Sequence, residues 1–246
     1  MTPPLEQEFG LIEAVELKRL AKRGAMQPLL CRANDGAHYI LKPFSVGRSW
    51  PLVLEWVCAR LGRKLSLPIP NYRQILVSKE LAEEWNAFNE RKIEPGLGFG
   101  SQLVASALEF EVSLSPAIPE ELRLRILAFD WWIRNQDRGE KNPNLLWSAE
   151  TRNLHVIDHD QAGHPETASV FWGTHIFKAM APIDLNWLPP TLAAEFSAAA
   201  ASLLPSPVLA ELPSEWTTDH EGIAWFFRHL NQSPINASHR NWRNHD

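Results

Sequence analysis

Near the start of the chain, residues 27–33 and 37–42 form two strand-like runs with Asn34-Asp35-Gly36 between them. Asn and Gly tolerate positive φ, so the pattern predicts a β-hairpin that ends on Lys42. Residues 51–61 change to helical spacing, with Leu54, Val57, Cys58 and Leu61 on one face and Pro51 suited to the first turn. Glu55 lies three or four positions from Leu52, Cys58 and Ala59, at the edge of that apolar face or within it. A carboxylate placed there requires a partner. Residues 71–78 return to a strand pattern with Ile75-Leu76-Val77 at its apolar end, and 80–89 predict a helix. The following stretch, 94–101, is rich in Gly and Pro and reads as a loop at the border between two lobes.

In the second half, Pro119-Glu120-Glu121 opens a helix with acids at the positive end of its dipole, and Leu122, Ile126, Phe129 and Ile133 continue one apolar stripe. Residues 144–147 and 154–157, separated by the polar 148–153, predict a second hairpin with Asp158 at its exit. Residues 191–204 and 219–231 predict further helices. The pattern as a whole gives an α+β chain: a small sheet-rich lobe over 1–97, a mainly helical lobe over 98–232 and a polar tail over 233–246. It contains no internal repeat.

Composition narrows the classes. A chain of 246 residues with 45% hydrophobic content can bury a substantial core. Its net charge of −5 and pI near 6.0 carry no basic excess that would point to nucleic acid as the main partner. No run approaches the ~18 apolar residues of a membrane span, so a soluble, cytoplasmic protein is expected. Cys31 and Cys58 are too few for a disulfide framework and read as small buried hydrophobes. The nine histidines show no zinc spacing, and the aromatic positions at 131–132 and 225–227 read as core.

The chemistry is concentrated between the long helix and the second hairpin. Asp137, Asn142 and Asp158 supply a carboxylate for an attacking hydroxyl and hard oxygen ligands for Mg²⁺, the set that phosphoryl transfer needs. Asp and Asn are also ordinary turn formers, and Asn142-Pro143-Asn144 would make an unremarkable turn. The pairing of Lys42 with Glu55 adds the other half, a strand lysine steadied by a helix glutamate beside nucleotide phosphates. The three glycines of 94–101 lack the lysine-containing pattern of a phosphate loop.

With these residues in order, the chain resembles the HipA-like kinases, relatives of the wider protein kinase and phosphatidylinositol kinase superfamily. The resemblance is carried by Tyr39-Ile40-Leu41-Lys42, Leu54-Glu55-Trp56-Val57, Leu67-Pro68-Ile69-Pro70, Phe99-Gly100-Ser101, Asn135-Gln136-Asp137-Arg138, Asn142-Pro143-Asn144 and Ile157-Asp158-His159. It spans residues 10–163. It implies a bilobal, protein-kinase-like (HipA-like) fold with ATP in the cleft. Lys42 would act on the phosphates with Glu55 as its partner, Asp137 would be the catalytic aspartate, and Asn142 with Asp158 would hold Mg²⁺. Asn144 rivals Asn142 for that role.

Two departures stand out. Gly139 occupies a position where related HipA and lipid kinases usually carry histidine. The turn at 22–26 is poor in glycine and has no Ser or Thr, so the loop self-phosphorylation of toxin-type HipA proteins does not carry over. The chain is also shorter than the full toxin, and neither a toxin role nor an antitoxin partner follows. The leading expectation is an ATP- and Mg²⁺-dependent Ser/Thr protein kinase. A small-molecule kinase would use the same residues. A pseudokinase or toxin-like nucleotide-binding module with an unidentified protein partner is the alternative class, and the intact Asp137 stands against it.

Overall fold

Strands β2 (Leu29–Ala33) and β3 (His38–Lys42) form the first hairpin. Gly36 takes φ +81° at its turn, and the Asp35 carboxylate accepts from the Ala37 N–H at 2.9 Å and from the Tyr39 hydroxyl at 2.7 Å. The computed structural model describes residues 11–19, 28–164, 168–180, 188–203 and 205–232. The turn at 22–26 and the tail at 233–246 lie outside the described residues. The fold is mixed α+β, with a sheet-rich N-terminal part and a helical C-terminal part. The chain divides into two compact units: Met1–Trp56, Pro70–Ala105 and Pro213–Thr218 make the first, and Val57–Ile69, Ser106–Leu212 and Asp219–Asp246 the second. No helix of the described residues is long and apolar enough to cross a membrane.

In the first unit, β1 (Ile12–Arg19), β2, β3, β4 (Tyr72–Val77) and β5 (Gly96–Gln102) close into a barrel in the order β1-β2-β3-β5-β4. All pairings are antiparallel except that of β1 with β4. The inward positions, among them Leu29, Cys31, Tyr39, Leu41, Ile75 and Val77, pack with Ala82 and Trp85 of helix α2 (Lys79–Phe88). Ser78 caps α2 by accepting from the Leu81 N–H at 3.1 Å.

Two strands of the barrel depart from the sequence reading. Residues 12–19 were not expected to be a strand. Their alternation breaks at a register shift between Ala14 and Glu16, which hides the period of two. Residues 96–102, read as a loop, form a strand flanked by β3 and β4. Glycine is there because neighbouring groups approach closely: a Cβ on Gly98 would lie 2.6 Å from the Lys42 main-chain carbonyl oxygen, and one on Gly100 2.2 Å from Cδ1 of the Ile75 side chain.

Helix α1 (Trp50–Lys64) is buried around its whole circumference from Leu52 to Ala59 and gives its first half to the barrel unit. That unit also gathers a distant segment. Trp216 packs edge-on to Trp56 at 6.3 Å and donates its indole N–H to the Leu97 carbonyl at 2.7 Å.

The second unit is built around helix α3 (Glu120–Ile133), with the small sheet β6 (Ala107–Glu109), β7 (Leu145–Ser148) and β8 (Asn153–Val156). Helices α4 (Ala168–Thr174), α5 (Pro190–Leu203), α6 (Ser206–Glu211) and α7 (His220–Gln232) complete it. Seven residues of α3, including Ile126, Phe129 and Trp132, are buried. Trp132 packs edge-on to Phe196 at 5.3 Å and donates to the Leu230 carbonyl at 3.1 Å, so aromatic packing ties α3 to α5 and α7.

Candidate active site

In the barrel unit, Lys42 ends β3 opposite Phe99 of β5, and its side chain turns to α1, where Nζ donates to Glu55 Oε1 at 2.6 Å. Lys42 is 6% exposed and Glu55 2%. Two charges so far from water hold each other through a charge-assisted bond, and removal of either leaves the other in a costly place. Glu55 lies in the fully buried stretch of α1, and the Lys42 backbone lies where β3 and β5 approach closely at Gly98.

In the second unit, α3 stops at Arg134, which adopts the left-handed conformation with φ +54°. The chain then forms the loop that carries Asp137. The Asp137 Oδ2 oxygen accepts from the side-chain amides of Asn142 at 2.9 Å and Asn144 at 3.1 Å. Asn144 Nδ2 also reaches the Asp137 carbonyl at 3.0 Å, and the Asp137 N–H donates to Asn135 Oδ1 at 3.2 Å. Gly139 and Asn142 exchange backbone bonds at 3.1 and 3.2 Å, which closes the loop under Asp137. Asn142 is exposed and Asn144 buried.

Asp158 lies two residues beyond β8 and is partly buried. The Ile157 N–H donates to the Asn144 carbonyl at 3.1 Å, which brings the strand exit against the Asp137 loop. Asn144 and Asp158 have φ of +47° and +61°. Non-glycine residues rarely sit there, Asn and Asp more readily than most, and such conformations collect where function constrains the backbone. The sequence-predicted residues thus fall into two groups, Lys42 with Glu55 in one unit and Asp137, Asn142 and Asp158 in the other.

Three residues that sequence reasoning missed hold the second group. Asp130 is fully buried in α3 and accepts from Arg138 Nε at 2.6 Å, Arg138 Nη2 at 3.3 Å and Asn135 Nδ2 at 3.0 Å. His175, just beyond α4, meets the same carboxylate through Nε2 at 3.1 Å. Burial pushes the Asp130 carboxyl up, but the Arg138 guanidinium and the His175 bond outweigh it and hold the group well below the usual carboxylate range. Burial pushes His175 down, against the pull of Asp130. The signal was present in the sequence. Asp130 interrupts the apolar stretch 126–133, where a lone carboxylate must find a cation.

A barrel lysine paired to a helix glutamate, and an Asp–Asn loop leading into a hairpin with a further aspartate at its exit, are the parts expected of a phosphoryl-transfer enzyme. The family model of the HipA-like kinases matches residues 14–234. The chain therefore belongs to the HipA-like kinase family, which places it among the phosphotransferases. Comparison with curated proteins gives no match. Among solved structures, the crystal structure of the Golgi casein kinase with Mn/ADP bound is similar at 13% identity and a TM-score of 0.49, over 92% of this chain and 71% of that one.

Proposed function

We propose that this protein is an ATP- and Mg²⁺-dependent kinase of bilobal type that phosphorylates Ser or Thr hydroxyls of a protein acceptor. The observation that carries the reading is the Asp137 carboxylate. Both asparagine amides converge on Oδ2, and neither bonds Oδ1, so Oδ1 is the atom suited to orient an acceptor hydroxyl and take its proton.

The donor set fits the cofactors. Asp158 brings a carboxylate, and with the amide nitrogens of Asn142 and Asn144 turned to Asp137, their side-chain oxygens remain as hard donors of the kind Mg²⁺ prefers. Asn142, the more exposed of the two, would hold the metal with Asp158. When bound, the metal supplies positive charge against the phosphate oxygens. Lys42, oriented by Glu55, would add a second positive charge toward those phosphates.

Asp137→Asn tests the reading because it keeps size and loses charge. Phosphoryl transfer from ATP in single turnover should fall by about 10²–10⁴-fold, the usual share of general acid–base catalysis, with the ATP dissociation constant nearly unchanged. Transfer at the wild-type rate by the folded variant would exclude Asp137 as the catalytic aspartate.

A further inference from the structure

The guanidinium of Arg138 is fully buried and bonded on every side. Nε and Nη2 form a fork on Asp130, while Nη1 faces the carbonyl oxygens of Pro143 at 3.3 Å, of Asn144, and of Ile157 at 3.2 Å. Each of those carbonyls belongs to, or adjoins, a residue of the candidate site: Asn142 and Asn144 on one side, Asp158 on the other. Asp130 reaches the loop by a second route, since Asn135 donates to Asp130 and accepts from the Asp137 N–H. His175 completes the unit. Its Nδ1 accepts from the Phe177 N–H at 3.0 Å, so the ring hydrogen lies on Nε2 and points at Asp130. His175 and Gly139 also form a backbone bridge, and Ile176 N–H donates to the Arg138 carbonyl at 2.9 Å.

A buried ion pair is a poor source of net stability, because desolvation offsets its attraction and an apolar replacement often does as well. Its use must lie in geometry. Arginine alone offers a planar fork for a carboxylate together with a further N–H₂ group aimed elsewhere, and here that group gathers two segments of backbone 13 positions apart, Asn144 and Ile157. We propose that Asp130, Arg138 and His175 act as one positioning unit that fixes the Asp137 loop against the exit of β8, and so sets the placement of Asp137 relative to Asp158, without touching substrate. The proposal rests on the phosphotransfer reading given above.

The test pairs an activity-free readout with a kinetic one. In wild-type protein and in Asp130→Asn, hydrogen exchange is followed at the Gly139, Asn142 and Ile157 amides, and MgATP turnover is measured alongside. A displacement of about 1 Å at a reacting group costs on the order of 10²-fold in rate. The folded variant should exchange at least about tenfold faster at those amides and lose turnover by about 10²-fold, with the KM for MgATP changed by less than about threefold. His175→Phe, which removes one donor and leaves the ion pair intact, should shift the same amides and the same kinetic constant in the same direction to a smaller extent. It decides the matter if Asp130→Asn does not fold. Unchanged exchange in the folded variant, or a loss confined to KM, overturns the positioning role. Absence of turnover in wild type overturns the phosphotransfer reading instead, and the exchange measurement still decides whether the unit holds the loop.

Discussion

Lys42 and Glu55 share one buried bond, and the cost of separating them exceeds what the bond contributes to stability. Lys42→Met should destabilise the barrel unit by about 3–5 kcal/mol, because it removes the cation bonded to the buried Glu55 carboxylate. Adding Glu55→Gln should restore part of that loss without restoring nucleotide binding. Melting shifts that are strictly additive in the double variant would show that the two side chains are not coupled. At this scale the sequence was informative where a residue's neighbours in the chain were also its neighbours in space. Glu55 stood on an apolar helical face, and Asp137 and Asn142 were five positions apart in one loop. His175 could not be connected with Asp130, since 45 residues separate them and an isolated histidine signals nothing. Asp130 was visible as an anomaly but its cation was not.

Among the elements, the barrel shows how composition misleads when packing decides. Glycine is disfavoured in strands because it has no side chain to pack, yet β5 needs it where β3 comes within contact of its backbone. Gly98→Ala should therefore destabilise the protein by about 1–3 kcal/mol, the usual range for overpacking, since the obstacle is the Lys42 main-chain carbonyl and not a movable side chain. Gly173, in α4 with nothing within 4 Å of a built Cβ, is the control: Gly173→Ala should be stabilising by about 0.5–1 kcal/mol. Urea midpoints of the two variants check both signs. The elements legible in advance, the β2–β3 hairpin, α1, β4, α2, α3, the β7–β8 hairpin, α5 and α7, are those whose period runs unbroken and ends at a cap or turn. Strand β1 hid behind its register shift, and β6 is only three residues long.

For the molecule as a whole, acid should act first through histidine. His229 of α7 stacks on Trp225 at 5.7 Å and meets the Trp132 carbonyl at 3.0 Å. Burial and the nearby Arg134 push it down to about 4, although the bond to the carbonyl pulls the other way. Because the folded value lies below the ordinary 6.5, its contribution is complete above that pH and is lost as pH falls toward about 4, where the unfolded chain takes up a proton the folded one refuses. His155 and His175 shift in the same direction. His229→Gln, whose amide can still donate to Trp132, should flatten but not abolish the fall in denaturation midpoint across the upper part of that window. An identical slope in wild type and variant would remove His229 from the account.

The placement of Trp216 in the barrel unit has a consequence for synthesis. Its indole bonds a carbonyl 119 residues earlier in the chain, at Leu97. A ribosome adding about 5–20 residues per second takes on the order of ten seconds to cover that distance. For nearly all of that interval the five barrel strands have been made while Leu97 and Trp56 lack their Trp216 partner, and the second unit up to Leu212 is made first. The barrel is begun early but finished late, so a nascent chain arrested before residue 213 would present Trp56 with Tyr72 against it at 5.1 Å but without the Trp216 ring.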